Sequence, residues 1–245
     1  MRLLNAKTLL LKDFVGDEAV PRYAILSHTW GTDELSLQEW NEETSKKAKT
    51  GYTKIKYCCD QALSDGIEWA WIDTCCIDKS SSAELSEAIN SMFRWYQNAV
   101  RCYAYLFDVP GHVNPALDPS ELARSRWFKR GWTLQELLAP KNLIFFSSTW
   151  RRIGTKEELY GPLATITGIE PEILQGEDLQ AVSVATRMSW AAKRETTRTE
   201  DMAYCLLGIF DINMPLLYGE GKRAFFRLQE EILKANSDQS IFAWG

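Results

Sequence analysis

The chain has 245 residues, 45% hydrophobic and 25% charged, with a formal net charge of −5. That balance gives a globular protein with ample core material and no massed basic surface for nucleic acid. No run of about 18 apolar residues could span a membrane, and the start, MRLLNAKTLLLKDF, is broken by Asn5, Lys7, Lys12 and Asp13 and lacks a signal-peptide core, so a cytoplasmic location is expected.

In chain order, residues 2–4 and 8–12 predict a hairpin around Asn5-Ala6-Lys7. The apolar run Arg22 to His28 predicts a buried strand, followed by the loop Thr29-Trp30-Gly31-Thr32. Ile55, Cys58, Cys59, Ala62 and Leu63 share one face of a helix over 53–65, stopped by Gly66. Glu68 to Thr74 reads as a second strand, closing on Asp73 and the Cys75-Cys76-Ile77-Asp78 turn. Ser81-Ser82-Ala83-Glu84 has the capping-box pattern. The helix it opens carries Leu85, Ile89, Met92, Phe93 and Tyr96 on one side. Arg101 to Phe107 predicts a third strand, and 108–119, with Pro110, Gly111, Pro115 and Pro119, a long irregular loop. A helix from about Gly131 to Leu138 ends before Pro140, and Leu143 to Ser147 predicts a fourth strand. This alternation implies right-handed crossovers and a mainly parallel α/β sheet with flanking helices.

After Trp150 the pattern turns helical. Thr155-Lys156-Glu157-Glu158 predicts a capped helix, with further helical patterns at 171–175, 182–192, 200–209 and 222–235. The last carries Phe225, Leu228 and Ile232 on one side. The expectation is an α/β core over 1–150 and a helical extension over 151–245 packed on it.

Three features invite chemistry and are set aside. The six cysteines, including the pairs Cys58-Cys59 and Cys75-Cys76, lack disulfide-framework or zinc spacing and read as core thiols; no metal site is expected. Cys75, Cys76, His28 and Asp73 suggest a Cys–His–Asp hydrolase, but no nucleophile elbow is present. Gly219-Glu220-Gly221-Lys222 lacks phosphate-loop spacing and reads as a turn opening the last helix. The segment Trp127–Pro140, WFKRGWTLQELLAP, holds more: on a helix Trp132 and Glu136 lie one turn apart on one face. The residues leave two readings open. Either Glu136 pairs with Arg130 while Trp132 fills core, or the carboxyl faces a cleft beside an indole that can stack on a ligand ring.

YAILSHTWG (23–31), WAWIDTCCIDKSSSAELSEAINSMFRWYQNA (69–99), SRWFKRGWTLQELLAP (125–140) and DINMPLLYGEGKRAFFRLQEEI (211–232) together resemble the fungal HET domain, the effector of heterokaryon incompatibility. The resemblance implies a cell-death effector, often placed before STAND-type, NOD-like receptor modules and acting by self-association on activation. HET domains are in turn distantly similar to TIR domains, flavodoxin-like sheets of which some cleave NAD with one glutamate. The TIR pattern W-C-x-x-E-L is matched by Trp132, Glu136 and Leu137, with Thr133 in place of Cys.

That likeness makes Glu136 the candidate catalytic carboxylate and NAD the candidate substrate, with no permanently bound cofactor. Cleaving the nicotinamide–ribose bond needs a negative charge beside an oxocarbenium-like ribose, which one carboxylate supplies. Trp132 would stack on a ring, and Arg126, Lys129 or Arg130 would hold the diphosphate. Ser27, His28, Thr29 and Trp30 either line the same cleft, with Ser27 or His28 bonding ribose, or cap the strand end and cover the core. Asp73 either bonds ribose hydroxyls or caps the following turn. A non-catalytic alternative is a signalling or self-association module in which Trp30, Trp127 and Trp132 form an interface.

Overall fold

A computed structural model describes residues 1–42, 49–113 and 119–243. Pro115, in the expected long loop, lies outside the described residues. The hairpin forms from β1 (Arg2–Asn5) and β2 (Leu11–Asp13), and the buried run becomes β3 (Tyr23–His28), all six residues of which are buried. Then come α1 (Leu37–Asn41), α2 (Thr50–Ser64), β4 (Trp69–Trp71), α3 (Asp73–Cys76), α4 (Ser82–Asn98) and β5 (Arg101–Tyr105). They are followed by α5 (Ser120–Arg124), α6 (Thr133–Leu138), β6 (Leu143–Phe146) and β7 (Arg152–Thr155). The rest is α7 (Tyr160–Thr167), α8 (Pro171–Leu174), α9 (Val184–Ala191), α10 (Asp201–Tyr204), α11 (Leu207–Phe210) and α12 (Arg223–Ala235).

The α/β class holds, but the sheet is mixed rather than mainly parallel. Its order is β2-β1-β4-β3-β5-β6-β7. The middle pairs β4–β3, β3–β5 and β5–β6 run parallel, while β1–β2, β1–β4 and β6–β7 run antiparallel. Connection length is the reason. A parallel neighbour needs a crossover of about a dozen residues, and only residues 147–151 separate β6 from β7. Trp150, at φ 58°, turns that short link and stacks on Phe146 with centroids 4.6 Å apart. β7 therefore ends on Thr155, the residue expected to open a helix. Thr155 and Glu158 do exchange backbone and side-chain bonds, yet Thr155 pairs with Ile144 in the sheet and the helix starts only at Tyr160.

Two further departures bear on the site. β4 stops at Trp71, so Asp73 opens the helical turn α3 instead of ending a strand. Ser81 caps α4, but the Glu84 carboxylate turns to the Asp78 N–H (2.7 Å) and Arg2 (2.8 Å), tying α4 to the hairpin instead of closing a capping box. The core is continuous from Leu3 and Leu4 through β3 and β5 to Leu228 and Ile232 of α12. α2 and α6 both pack on β3.

Candidate functional site

Helix α6 is buried at every residue from Thr133 to Leu138. With so few turns it holds together by tertiary contacts, not by propensity. Two buried cations grip its ends. Arg194 Nη1 donates to Arg130 O (2.9 Å) and Thr133 Oγ1 (3.0 Å) at the start. Lys156 Nζ donates to Leu137 O (3.2 Å) and Pro140 O (2.6 Å) at the end.

So held, α6 aims Glu136 at the carboxyl end of β3. The Ser27 hydroxyl donates to Glu136 Oε2, and Trp127 Nε1 donates to Ser27 Oγ at 2.8 Å. The Tyr96 hydroxyl donates to Leu26 O at 3.1 Å and its oxygen lies within bonding reach of the Glu136 carboxyl. Burial pushes the Glu136 pKa up to about 8, and the Asp73 charge adds to this. The Ser27 and Tyr96 bonds and the Arg194 charge oppose it. At neutral pH the carboxyl is mostly protonated.

Past Ser27, His28 and Thr29 are buried and Trp30 is 47% exposed. Trp30 Nε1 donates to Asp73 Oδ2 at 2.7 Å, and Lys79 Nζ lies 3.5 Å above the Trp30 ring and 3.8 Å from Asp73 Oδ2. Although burial raises the Asp73 pKa, Lys79 first, then the Trp30 bond and Lys54, hold it below the usual carboxylate value. His28 Nε2 sits 3.6 Å from Asp73 Oδ1 and 3.9 Å from Glu34 Oε2, and neither ring nitrogen makes a hydrogen bond. Burial, then Lys54, lowers the His28 pKa to about 4, so the imidazole is neutral. Glu34 takes Gly31 N (2.6 Å) and Lys54 on Oε1 and leaves buried Oε2 without a partner.

Ser27, His28, Trp30, Asp73 and Glu136 are thus one neighbourhood. Trp132 is not part of it: it precedes α6, and its indole bonds Asp201 instead. The Glu136–Arg130 ion pair does not form either, because the Arg130 guanidinium donates to Thr197 Oγ1 at 3.0 Å. Of the three basic candidates, Arg126 reaches the site loop, through Trp30 O at 3.3 Å. Trp127 is 1% exposed and lies inside the core, which removes it from any interface. Sequence reasoning missed Glu34, Lys54, Lys79 and Tyr96. Lys79 and Tyr96 lie within the 69–99 block but nothing there marks them for a site, Glu34 and Lys54 lie outside the four blocks that carry the family resemblance, and each arrives from a different element.

Residues 23–119 match the family described as "Heterokaryon incompatibility protein (HET)", and residues 223–245 match "Domain of unknown function (DUF8212)". The chain is 52% identical over 221 residues to Vegetative incompatibility protein HET-E-1 of Podospora anserina. The chain belongs to the heterokaryon incompatibility (HET) family. The match covers 88% of this chain and 16% of that relative. No solved structure matches.

The segment matched to the HET family holds Ser27, His28, Trp30, Asp73, Lys79 and Tyr96, whereas Glu136 lies beyond it. The HET-matched residues therefore build the wall, and α6, beyond the matched segment, brings the carboxyl to it.

Proposed function

We propose that this HET domain is a cell-death effector of heterokaryon incompatibility that hydrolyses the nicotinamide–ribose bond of NAD. Glu136 is its catalytic carboxylate. The observation that carries the reading is a buried, hydrogen-bonded Glu136 at the carboxyl end of three parallel strand pairs, where ligands of α/β sheets collect. A strongly shifted carboxyl beside unpaired polar atoms is also the usual signature of a functional site.

The chemistry follows from charge. The pyridinium of NAD placed against Glu136 favours the ionised carboxylate, offsetting the burial that keeps it protonated in the free protein. As nicotinamide leaves with the bonding pair, the carboxylate stabilises the cationic ribose until water adds, giving ADP-ribose and a proton. His28 Nε2 lies 3.6 Å from Asp73 Oδ1, and the pair suits ribose hydroxyls. Trp30, the exposed aromatic beside them, is the stacking surface, and Arg126 holds the loop that carries it.

Activity arises on self-association, directed by receptor modules elsewhere in a longer protein; the 16% coverage of the relative agrees with such modules. The test is nicotinamide release from NAD by the chain alone and artificially clustered, compared with Glu136→Gln. Release by the clustered wild type and none from the variant supports the reading. Cell killing that persists in Glu136→Gln with no nicotinamide formed overturns it in favour of a non-catalytic signalling module, for which exposed Trp30 is the available contact.

A further inference from the structure

Away from Glu136, a cavity of about 640 Å³ lies where the carboxyl end of α6 meets α4, α8 and α11. A second, of about 120 Å³, neighbours it, and Gln180 and Asp211 line both. Each has a buried cation in its wall. In the larger, Lys156 is 5% exposed and spends two of its three N–H donors on backbone carbonyls. In the smaller, Arg187 is 1% exposed; its Nη1 donates to Ile209 O (3.1 Å) and Gln180 Oε1 (3.4 Å), and its guanidinium carbon lies 4.7 Å from the Phe210 ring centroid. Its Nε is buried with no partner. Among the described residues, no carboxylate is within ion-pair distance of Lys156 or Arg187.

Buried charges are normally paired, because desolvation costs more than dipoles alone return. Lys156 has no carboxylate acting on it and Arg187 feels Asp238 and Asp178 only beyond ion-pair distance, so a counter-charge in contact with either cation is left to be supplied from outside. Burial lowers the Lys156 pKa to about 8, so it is still a cation at pH 7. Exposed Lys141 and Arg94 add further cations to the wall of the larger cavity. The acidic residues there, Glu177, Asp178 and Asp211, would repel an anion placed against them but accept hydroxyls. The geometry points to a binding site for an oxyanion-bearing small molecule in this cavity, its anionic group on Lys156 and toward Arg187, with room for a hydroxylated body. The volume fits a sugar phosphate. Because Lys156 also caps α6, an occupied site would bear on the helix that carries Glu136.

The test is calorimetric titration of the chain at pH 7 with ribose 5-phosphate, inorganic phosphate and citrate, each alone. The expected result is saturable one-to-one binding of ribose 5-phosphate that weakens about tenfold in Lys156→Met, the loss of one charge partner. Lys141→Glu, on the surface and no risk to folding, weakens it independently, so the test survives if Lys156→Met fails to fold. Binding of phosphate or citrate with the same dependence on Lys156 and Lys141 supports the site and identifies which oxyanion it takes. No saturable binding of any of the three, or binding unchanged in the variants that fold, overturns the proposal. The readout is binding, so it stands apart from whether the chain hydrolyses NAD.

Discussion

Ser27 and Glu136 lie 109 positions apart, and the hydroxyl of the first donates to the carboxyl of the second inside the core. The same Ser27 oxygen accepts the Trp127 indole N–H. One small side chain therefore joins β3, α6 and the turn before α6.

Ser27→Ala breaks both bonds and strands the buried Trp127 N–H. Leaving such a donor unpaired costs about 1–3 kcal/mol, to be read as a lower urea midpoint. The Ser27 bond also pulls the Glu136 pKa down, so its loss moves the Glu136 ionisation above about 8. Carbon-13 NMR of labelled glutamate follows that titration directly. A midpoint that stays put or falls in Ser27→Ala would remove the relay from the account.

Glu136 makes stability depend on pH with a definite sign. Its folded pKa is raised to about 8 from 4.5. Below pH 4.5 the group is protonated folded or unfolded and contributes nothing. Between 4.5 and 8 the unfolded chain releases the proton while the folded one keeps it, so the folded state loses about 1.4 kcal/mol per pH unit at most. Above 8 the loss is constant. Gln mimics the protonated acid and does not titrate. The stability of Glu136→Gln relative to wild type should therefore climb from pH 5 to 8 and level off above 8, in urea melts at matched ionic strength. A flat difference across that range contradicts a buried, shifted Glu136.

Much of the frame was legible. The hairpin, the four parallel strands and the helices over 53–65 and 82–98 follow from apolar runs, period and capping, because those are set locally. β7 was not, since Thr155 and Glu158 form the same reciprocal bonds at a strand end as at a helix start. In the site, Glu136 stood out through its spacing to Trp132 and the TIR-like pattern around it, and Ser27 because it sits at the end of a recognisable strand. Glu34 and Lys79 did not: loops place them, and loop placement is a tertiary result. Trp132 was misplaced for a related reason. It shares the helical period with Glu136 but lies just before α6, and Asp201 takes its indole.

Trp30 should separate ligand binding from folding. It is 47% exposed, with one bond to Asp73 and a cation–π contact from Lys79. Trp30→Ala forfeits about 1 kcal/mol of stability or less, as exposed contacts of this kind do. If Trp30 stacks on NAD, its removal raises KM several-fold, by the order of a base–aromatic stack, and leaves kcat nearly unchanged. Trp30→Phe keeps a ring without the Asp73 bond and falls between. Equal KM values for all three proteins would take Trp30 out of the binding site.

Arg194 connects the segment after α9 to the candidate catalytic helix. It donates to Arg130 O and Thr133 Oγ1 at the start of α6, and its charge lowers the Glu136 pKa. Arg194→Met keeps an unbranched side chain but removes both bonds, leaving Arg130 O with the Thr133 hydroxyl alone, a cost of about 1–3 kcal/mol. The same change removes a favourable charge from Glu136, so the Glu136 titration moves to higher pH. Gly208→Ala is the control. A methyl at Gly208 would land on Phe93 Cβ, forcing α11 off α4 at a cost of about 1–3 kcal/mol without altering any charge near Glu136. Both variants should lower the urea midpoint, and only Arg194→Met should shift the glutamate NMR titration and the acidic limb of nicotinamide release. If Gly208→Ala shifts the titration as far, the Arg194 effect is general loosening and not its charge.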